Sequence, residues 1–135
     1  MEYWLIKTEP STYSWDDLIR DKSTYWDGVR NFQARNNLKK MKEGDLCLYY
    51  HSVNEKSVIG VSRVIKEYYP DHTVDDDRWI MVDIVPEFAL KKPVTLAEIK
   101  TDDRLSEMVL VRNSRLSVQP VKKEEFDIVV ELGQK

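Results

Sequence analysis

The stretch that most constrains the fold of this chain covers residues 26–52 and reads WDGVRNFQARNNLKKMKEGDLCLYYHS. Asp27-Gly28 is a turn signal, because glycine adopts a positive φ without a Cβ clash. Asn31 follows it as a candidate helix N-cap. One helical face then repeats apolar residues at Ala34, Leu38 and Met41. These features predict a tight turn that leads directly into an amphipathic helix.

A strand is predicted to follow this helix. Glu43-Gly44-Asp45 ends the helical pattern, and residues 46–51 alternate in a period of two. The basic side chains of the helix fall mostly away from its apolar face, at Arg35, Lys39, Lys40 and Lys42. The stretch therefore combines a turn, a helix with a basic outer face and an apolar strand.

The two junctions of this stretch carry an unusual density of polar groups. Arg30, Asn31, Gln33, Arg35 and Asn36 cluster at the helix start, and Tyr50, His51 and Ser52 close the strand. Directional donors beside the flat ring of Trp26 suit a planar, hydrogen-bonding ligand such as a nucleobase. A purely structural interpretation is also open, with an asparagine cap, solvated basic residues and Trp26 as a core anchor.

Length and composition indicate one globular domain spanning residues 1–135. The chain is 41% hydrophobic with only 4 Gly and 5 Pro, which argues against disorder. A single cysteine, Cys47, excludes a disulfide framework and favours a reducing compartment. No apolar run is long enough to span a bilayer, and the opening MEYWLIKTEP lacks a basic signal-peptide region. We expect a cytoplasmic protein with no membrane partner.

The formal net charge of −3 argues against broad, non-specific attraction to a polyphosphate backbone. Basic residues concentrate in residues 30–42 and 104–115, whereas acidic residues gather in residues 71–77 and at the C-terminus. If nucleic acid is the partner, its contact with the protein should therefore be local.

The N-terminal part of the chain predicts a strand followed by a short helix. Residues 3–7 alternate as a strand, and the turn at Pro10 ends it. Ser14 precedes Asp17 at the spacing of a capping box. The helix that follows should bury Trp15, Leu18 and Ile19. Lys7, Thr8 and Glu9 would lie at the carboxyl end of the first strand, where side chains can project into a cleft or into solvent.

The rest of the chain predicts more strands than helices. Residues 57–69 suggest a long strand with a bulge at Gly60, and residues 78–86 and 87–94 suggest two further strands. Residues 71–77 look like a hairpin loop. Thr95 should cap a short helix, and a last helix should start near Lys122. Five or six strands with three or four helices predict an α+β fold with a small, strongly bent or barrel-like sheet.

The chemical inventory gives little support for catalysis or for a cofactor. Only two histidines are present, His51 and His72, and neither stands at metal-ligand spacing. Asp75-Asp76-Asp77 lacks the spacing of a calcium loop. No nucleophile elbow, P-loop or dinucleotide fingerprint occurs. His51 and Ser52 would point to opposite faces of a strand, so they do not make a base and nucleophile pair. We expect no metal, no cofactor and no catalytic residue.

Three runs of the sequence resemble a known family. YWLIKTEPSTYSWDDL, the central WDGVRNFQARNNLKKMKEGDLCLYYHS and the late RLSVQPV are similar, in that order, to the EVE domain of the PUA-like superfamily, which is related to the YTH and ASCH domains. The resemblance implies a PUA-like pseudo-barrel of about five to six strands with peripheral short helices. It also implies a pocket that reads a modified base without catalysis, such as a methylated or hydroxymethylated cytosine, in DNA or alternatively in RNA.

Carried over onto this chain, the resemblance implies two sets of site residues. The first set would line the base pocket: Lys7, Glu9, Pro10, Tyr13, Ser14, Trp26, Val29, Arg30, Asn31, His51, Ser52, Leu116 and Ser117. The second set would hold flanking phosphates: Arg35, Asn36, Lys39 and Arg115. An extruded base would stack on Trp26 or a neighbouring aromatic residue, with Val29 sensing the modification.

Two other functions remain open on the sequence. Likeness to ASCH domains would allow a hydrolase or nuclease that uses Lys7, Glu9 or Tyr13 as acid or base. Alternatively, the pocket would recognise a small molecule or a protein, which the acidic net charge mildly favours. The expected partner is a nucleic acid with a modified base, and a monomer is the favoured state.

Overall fold

The computed structural model describes residues 1–135 and contains six strands in one mixed sheet. The strands are β1 (Tyr3–Thr8), β2 (Thr24–Tyr25), β3 (Leu46–His51), β4 (Ser57–Pro70), β5 (Ile80–Thr95) and β6 (Val118–Val121). Their order across the sheet is β2-β5-β4-β3-β1-β6. The two end strands, β2 and β6, do not pair with each other, so hydrogen bonds do not close the sheet into a barrel.

Five short α-helices surround this sheet. They are α1 (Trp15–Asp21), α2 (Phe32–Lys40), α3 (Leu96–Thr101), α4 (Val109–Arg112) and α5 (Lys123–Gly133), and a 3₁₀ turn covers Asp103–Leu105. The sequence predicted the N-caps of the first three: Ser14, Asn31 and Thr95 each accept a hydrogen bond from a backbone N–H of the first turn. The α+β fold class predicted from the element order is confirmed.

The strand connections explain how the sheet acquires both parallel and antiparallel pairs. β3, β4 and β5 follow one another as an antiparallel meander, as predicted. β1 instead runs parallel to β3, because α1, β2 and α2 cross over between them. The carboxyl ends of β1 and β3 consequently meet at one edge, where Lys7 pairs with Tyr50 and Thr8 with His51.

One strand prediction is wrong. The sequence predicted two strands over residues 78–86 and 87–94, whereas β5 runs without a break from Ile80 to Thr95. Four register shifts along its pairing with β4 accommodate this length, and one of them adjoins Gly60, where the sequence predicted a bulge. A Cβ on Gly60 would lie 2.7 Å from the ring of Trp15, so glycine is required there for a close approach.

The core lies on both sides of the sheet, in two clusters. Trp4 and Ile6 of β1 enter the first cluster, whereas Leu5 between them enters the second, as the strand period requires. The first cluster also receives Trp15 and Leu18 from α1. The predicted burial of Ile19 is wrong, since its side chain is 49% exposed. Trp15 and Leu18 already fill the face that α1 turns to the sheet, and Ile19 turns outward.

The helices are short and none of them combines the length and the apolar character that crossing a bilayer requires.

Candidate nucleic-acid interface

A cavity of about 940 Å³ lies between the first loop, residues 9–14 between β1 and α1, and the entry to α2. This is the place where the sequence predicted a base pocket. Seven of the predicted pocket residues line it: Lys7, Tyr13, Trp26, Val29, Arg30, Asn31 and Ser117. Its volume lies within the range of about 300–1,000 Å³ that is typical of small-molecule sites.

Lys7 joins the cavity wall from β1 to the loop before β6. Its backbone N–H donates to the carbonyl of Ser117 at 3.0 Å, and its ammonium donates to the carbonyl of Ser114. The ammonium also lies 5.5 Å from the centre of the Tyr50 ring, within reach of a cation–π interaction. Partial burial lowers the pKa of Lys7 from its usual value.

Tyr13 and Thr8 also line the cavity and are joined by a hydrogen bond. The Thr8 hydroxyl donates to the carbonyl of Tyr13 at 2.9 Å, and the Tyr13 hydroxyl donates to the carboxylate of Asp21 at 2.8 Å. Burial, together with the neighbouring Asp21 carboxylate, raises the pKa of Tyr13. The tyrosine is therefore a neutral donor that is already engaged by an acidic side chain.

Trp26 is both a core anchor and part of the cavity wall. It is only 8% exposed, and its ring meets the ring of Tyr49 edge to face at a centroid distance of 5.5 Å. Its backbone N–H donates to the carbonyl of Val82 at 2.7 Å, next to the short pairing of β2 with β5. The structural interpretation of Trp26 is therefore correct, and a small part of the side chain still lines the cavity.

Asp71, which is buried and does not line the cavity, holds the turn before α2 in place through hydrogen bonds. Gly28 adopts a φ of +77°, as the turn signal predicted, and its N–H donates to the Asp71 carboxylate at 3.0 Å. Arg30 donates to the same carboxylate oxygen at 3.0 Å. Burial alone would raise the pKa of Asp71, but hydrogen bonds from Thr73, Gly28 and Arg30 outweigh it and lower the pKa to about 2.

Asn31 and Ser117 are among the cavity-lining residues that retain unused hydrogen-bonding capacity. The Asn31 Oδ1 atom caps α2 by accepting from the N–H of Ala34 at 2.9 Å, whereas its Nδ2 amino group has no partner within the protein. The Ser117 side-chain hydroxyl likewise has no hydrogen bond within the protein, although the backbone carbonyl of Ser117 accepts from Lys7. An amide donor and a hydroxyl are suited to the polar edge of a base.

Six predicted pocket residues do not line the cavity: Glu9, Pro10, Ser14, His51, Ser52 and Leu116. Ser14 caps α1, and the imidazole of His51 accepts from the N–H of Trp15 at 3.0 Å. Ser52 donates to the carbonyl of Thr8, Glu9 is exposed, and Leu116 is buried in the first core cluster. The part these six play in binding stays a prediction, while the contacts of Ser14, His51 and Ser52 hold α1 and the first loop in place.

The predicted phosphate-binding residues lie outside the cavity, where Arg35 is half-buried and the other three are exposed. Arg35, Asn36 and Lys39 belong to α2, and Arg115 lies in the loop before β6. Neither Arg35 nor Lys39 forms an ion pair with an acidic side chain, whereas Arg30 is paired with Asp71. Arg35 and Lys39 are therefore available to an external anion.

Nine further residues line the cavity, and of these the sequence had indicated only Thr8, at a strand end where side chains can project into a cleft: Thr8, Thr12, Asp21, Ser23, Thr24, Tyr25, Asp27, Gly28 and Asp83. Asp27 and Gly28 belong to the turn that the sequence identified, so their position in the cavity wall was predictable. The position of Asp83 was not predictable, because this residue reaches the cavity only through the pairing of β5 with Tyr25 of β2. No local pattern reports that contact.

Comparison with known proteins identifies the family. The EVE domain model matches residues 2–132, nearly the whole chain. The chain belongs to the EVE domain family. Human thymocyte nuclear protein 1 is 37% identical to this EVE domain over 167 aligned positions, which cover 98% of this chain and 74% of the human protein.

Solved structures support the same assignment. The crystal structure of human THYN1 protein in complex with DNA containing 5-methylcytosine is 36% identical to this EVE domain, with a TM-score of 0.94. The match covers 100% of this chain and 99% of that one. A more distant ASCH structure from Zymomonas mobilis is 12% identical with a TM-score of 0.57, covering 97% and 95% of the two chains. The PUA-like fold predicted from the sequence is therefore shown.

Proposed function

We propose that this EVE domain binds DNA and reads a modified cytosine, with 5-methylcytosine as the first candidate, without chemical turnover. The observation that carries the proposal is the end-to-end match with human THYN1 protein, whose structure holds DNA containing 5-methylcytosine. The cavity also supports the proposal, because it lies where residues 26–31 meet the first loop, at the position expected for a base pocket.

The cavity offers the contacts that a single extruded base needs. Unstacking and unpairing one nucleotide costs a few kcal/mol, which contacts in the cavity must offset. The Asn31 amino group and the Ser117 hydroxyl would bind the polar edge of the base. Val29, which is buried in the same core cluster as Trp26 and also lines the cavity, would provide apolar contact for a 5-methyl group.

The contacts of Lys7 and Tyr13 favour reading over hydrolysis. The Lys7 ammonium is bound to the carbonyl of Ser114, and the Tyr13 hydroxyl to Asp21. Glu9, the third residue of the hydrolase alternative, is exposed and does not line the cavity. These three side chains do not converge on one reacting atom, as acid–base catalysis requires.

The test is a binding screen of the pure protein at stated salt. Matched single- and double-stranded DNA and RNA oligonucleotides would carry cytosine, 5-methylcytosine or 5-hydroxymethylcytosine at one position. We expect tighter binding of a modified-cytosine DNA, with a preference that is lost in Ser117→Ala and Asn31→Ser. Equal affinity for all oligonucleotides would contradict modification reading, and appearance of a cleaved or deaminated product would contradict reading without turnover.

A further inference from the structure

We propose that a surface beside the cavity binds the nucleotide that flanks the extruded base; this proposal rests on the proposed function and extends it. The surface consists of Phe32, Arg35 and Trp79, and we call it the aromatic ledge. Phe32 and Trp79 are stacked with a centroid distance of 5.0 Å and an interplanar angle of 26°. The guanidinium carbon of Arg35 lies 4.9 Å from the centre of the Phe32 ring.

The exposure of Phe32 is the first observation that points to a ligand. Its side chain is 51% exposed at the start of α2, although Trp79 beneath it is only 9% exposed. The ledge therefore has an anchored lower ring and a solvent-facing upper ring. Aromatic rings that face solvent beside an arginine are the usual platform on which single-stranded bases stack, because every base has a π face.

The ledge is continuous with the cavity. Phe32 directly follows Asn31, which lines the cavity and caps the helix on which Phe32 and Arg35 lie. Arg30 also lines the cavity, and its guanidinium carbon lies 5.5 Å from the centre of the Trp79 ring. A nucleic-acid strand with one base in the cavity would thus carry its neighbouring nucleotide over Phe32.

The charges around the ledge favour a phosphate-bearing partner. Asp76 pairs with Arg78 and Asp71 pairs with Arg30, so those two arginines are neutralised locally. Arg35 instead donates to neutral oxygens only, those of Asn36 and of the Arg78 carbonyl. Lys39, one turn further along α2, lies 5.8 Å from the centre of the exposed Tyr68 ring and also lacks an acidic partner. Arg35 in the ledge and Lys39 beyond it therefore place two cations without acidic partners along α2.

The test measures the affinity of Phe32 variants for an oligonucleotide carrying the modification that the wild type prefers. Stacking contributes about 1–3 kcal/mol per base, so Phe32→Ala should weaken binding roughly 5- to 150-fold. Phe32→Leu keeps an apolar side chain against Trp79 but lacks a π face, and it should show a similar loss. Ile19→Ala removes a side chain of nearly equal exposure on α1 and should leave affinity unchanged.

Oligonucleotides with an abasic site next to the modified base distinguish stacking from damage to the protein. Abasic substitution on one side of that base should abolish the difference between wild type and Phe32→Ala. Arg35→Gln should lower the slope of log Kd against log salt concentration by about 1, the value expected for the loss of one phosphate contact. Phe32 variants should weaken the binding of modified and unmodified DNA by the same factor. The ratio of the two affinities therefore reports on the cavity, whereas their common decrease reports on the ledge. Wild-type affinity in Phe32→Leu, or a loss unaffected by either abasic site, would overturn this proposal while leaving a retained modification preference intact.

Discussion

The carboxylate of Asp71 and the guanidinium of Arg30 meet at 3.0 Å, and the Asp71 side chain has no exposed surface. This contact joins the loop between β4 and β5 to the turn that forms one wall of the cavity. Gly28 adds a backbone hydrogen bond to the same carboxylate. A residue 41 positions away in sequence from Arg30 therefore fixes the entry to α2.

Asp71 should make the stability of the protein acid-sensitive. Its pKa is lowered to about 2 in the folded state, so its contribution to the free energy of unfolding is fully present above about pH 4 and is lost as the pH falls towards 2. The shift corresponds to about 2 kcal/mol. We expect Asp71→Asn to be less stable than the wild type at pH 7, and the difference to shrink between pH 4 and 2. Urea denaturation at each pH measures it; a difference that does not change with pH would contradict this assignment.

Variants of Asn31 should separate helix capping from base recognition. Asn31→Ala removes the acceptor for the N–H of Ala34 and should lower the free energy of unfolding by about 1 kcal/mol. Asn31→Ser retains a capping oxygen but has no amino group, so it should keep stability and lose the preference for modified DNA. Thermal denaturation and fluorescence anisotropy provide the two readouts. If Asn31→Ser discriminates modified DNA as well as the wild type does, the amide takes no part in recognition.

His51 should act on stability and not on recognition. Its Nε2 atom accepts from the Trp15 N–H at 3.0 Å, and its Nδ1 atom lies 3.1 Å from a carboxylate oxygen of Glu55. His51→Ala would leave the buried N–H of Trp15 without an acceptor, which costs about 1–3 kcal/mol. We expect a lower unfolding midpoint in urea and an unchanged ratio of affinities for modified and unmodified DNA. A changed ratio in His51→Ala would instead place His51 in the base pocket.

Gly60 should not tolerate a side chain. An alanine Cβ would lie 2.7 Å from the Trp15 ring, so Gly60→Ala should lower the free energy of unfolding by about 1–3 kcal/mol. The smaller ring in Trp15→Phe should relieve the clash, and the double variant should be more stable than the sum of the two single effects predicts. Urea denaturation of all four proteins gives the coupling energy. Additive effects would show that the ring of Trp15 is not what excludes the side chain.

Local patterns were sufficient for several elements of the fold. The capping box of Ser14 and Asp17, the cap at Asn31 and the positive φ of Gly28 depend on neighbours within a few residues, and all three are confirmed. The period of β1 correctly divided Trp4 from Leu5 between two core clusters. The predicted burial of Ile19 was wrong because the helical period allowed a wider apolar face than α1 buries.

The candidate site was predictable only in part. Its position, between the first loop and the entry to α2, followed from the central motif and from the resemblance to the EVE domain. The sequence could not show that Ser14 and His51 are engaged in fixing α1, since that depends on how α1 packs over β3. It also could not show that Trp79 comes beneath Phe32, because the rest of α2 and the strands β3 and β4 lie between these two residues in the chain.

The sequence by itself determined the family, the fold class, the helix caps and the turn that borders the cavity, because each of these is recorded in short-range spacing or in a long shared motif. Only the tertiary structure decided which polar groups remain free for a ligand. Whether a donor such as the Asn31 amino group is available depends on every partner that packing brings within about 3 Å of it. Those partners come from distant parts of the chain: Asp71 reaches Arg30 from the loop between β4 and β5, and Asp83 reaches the cavity through the pairing of β5 with the short strand β2.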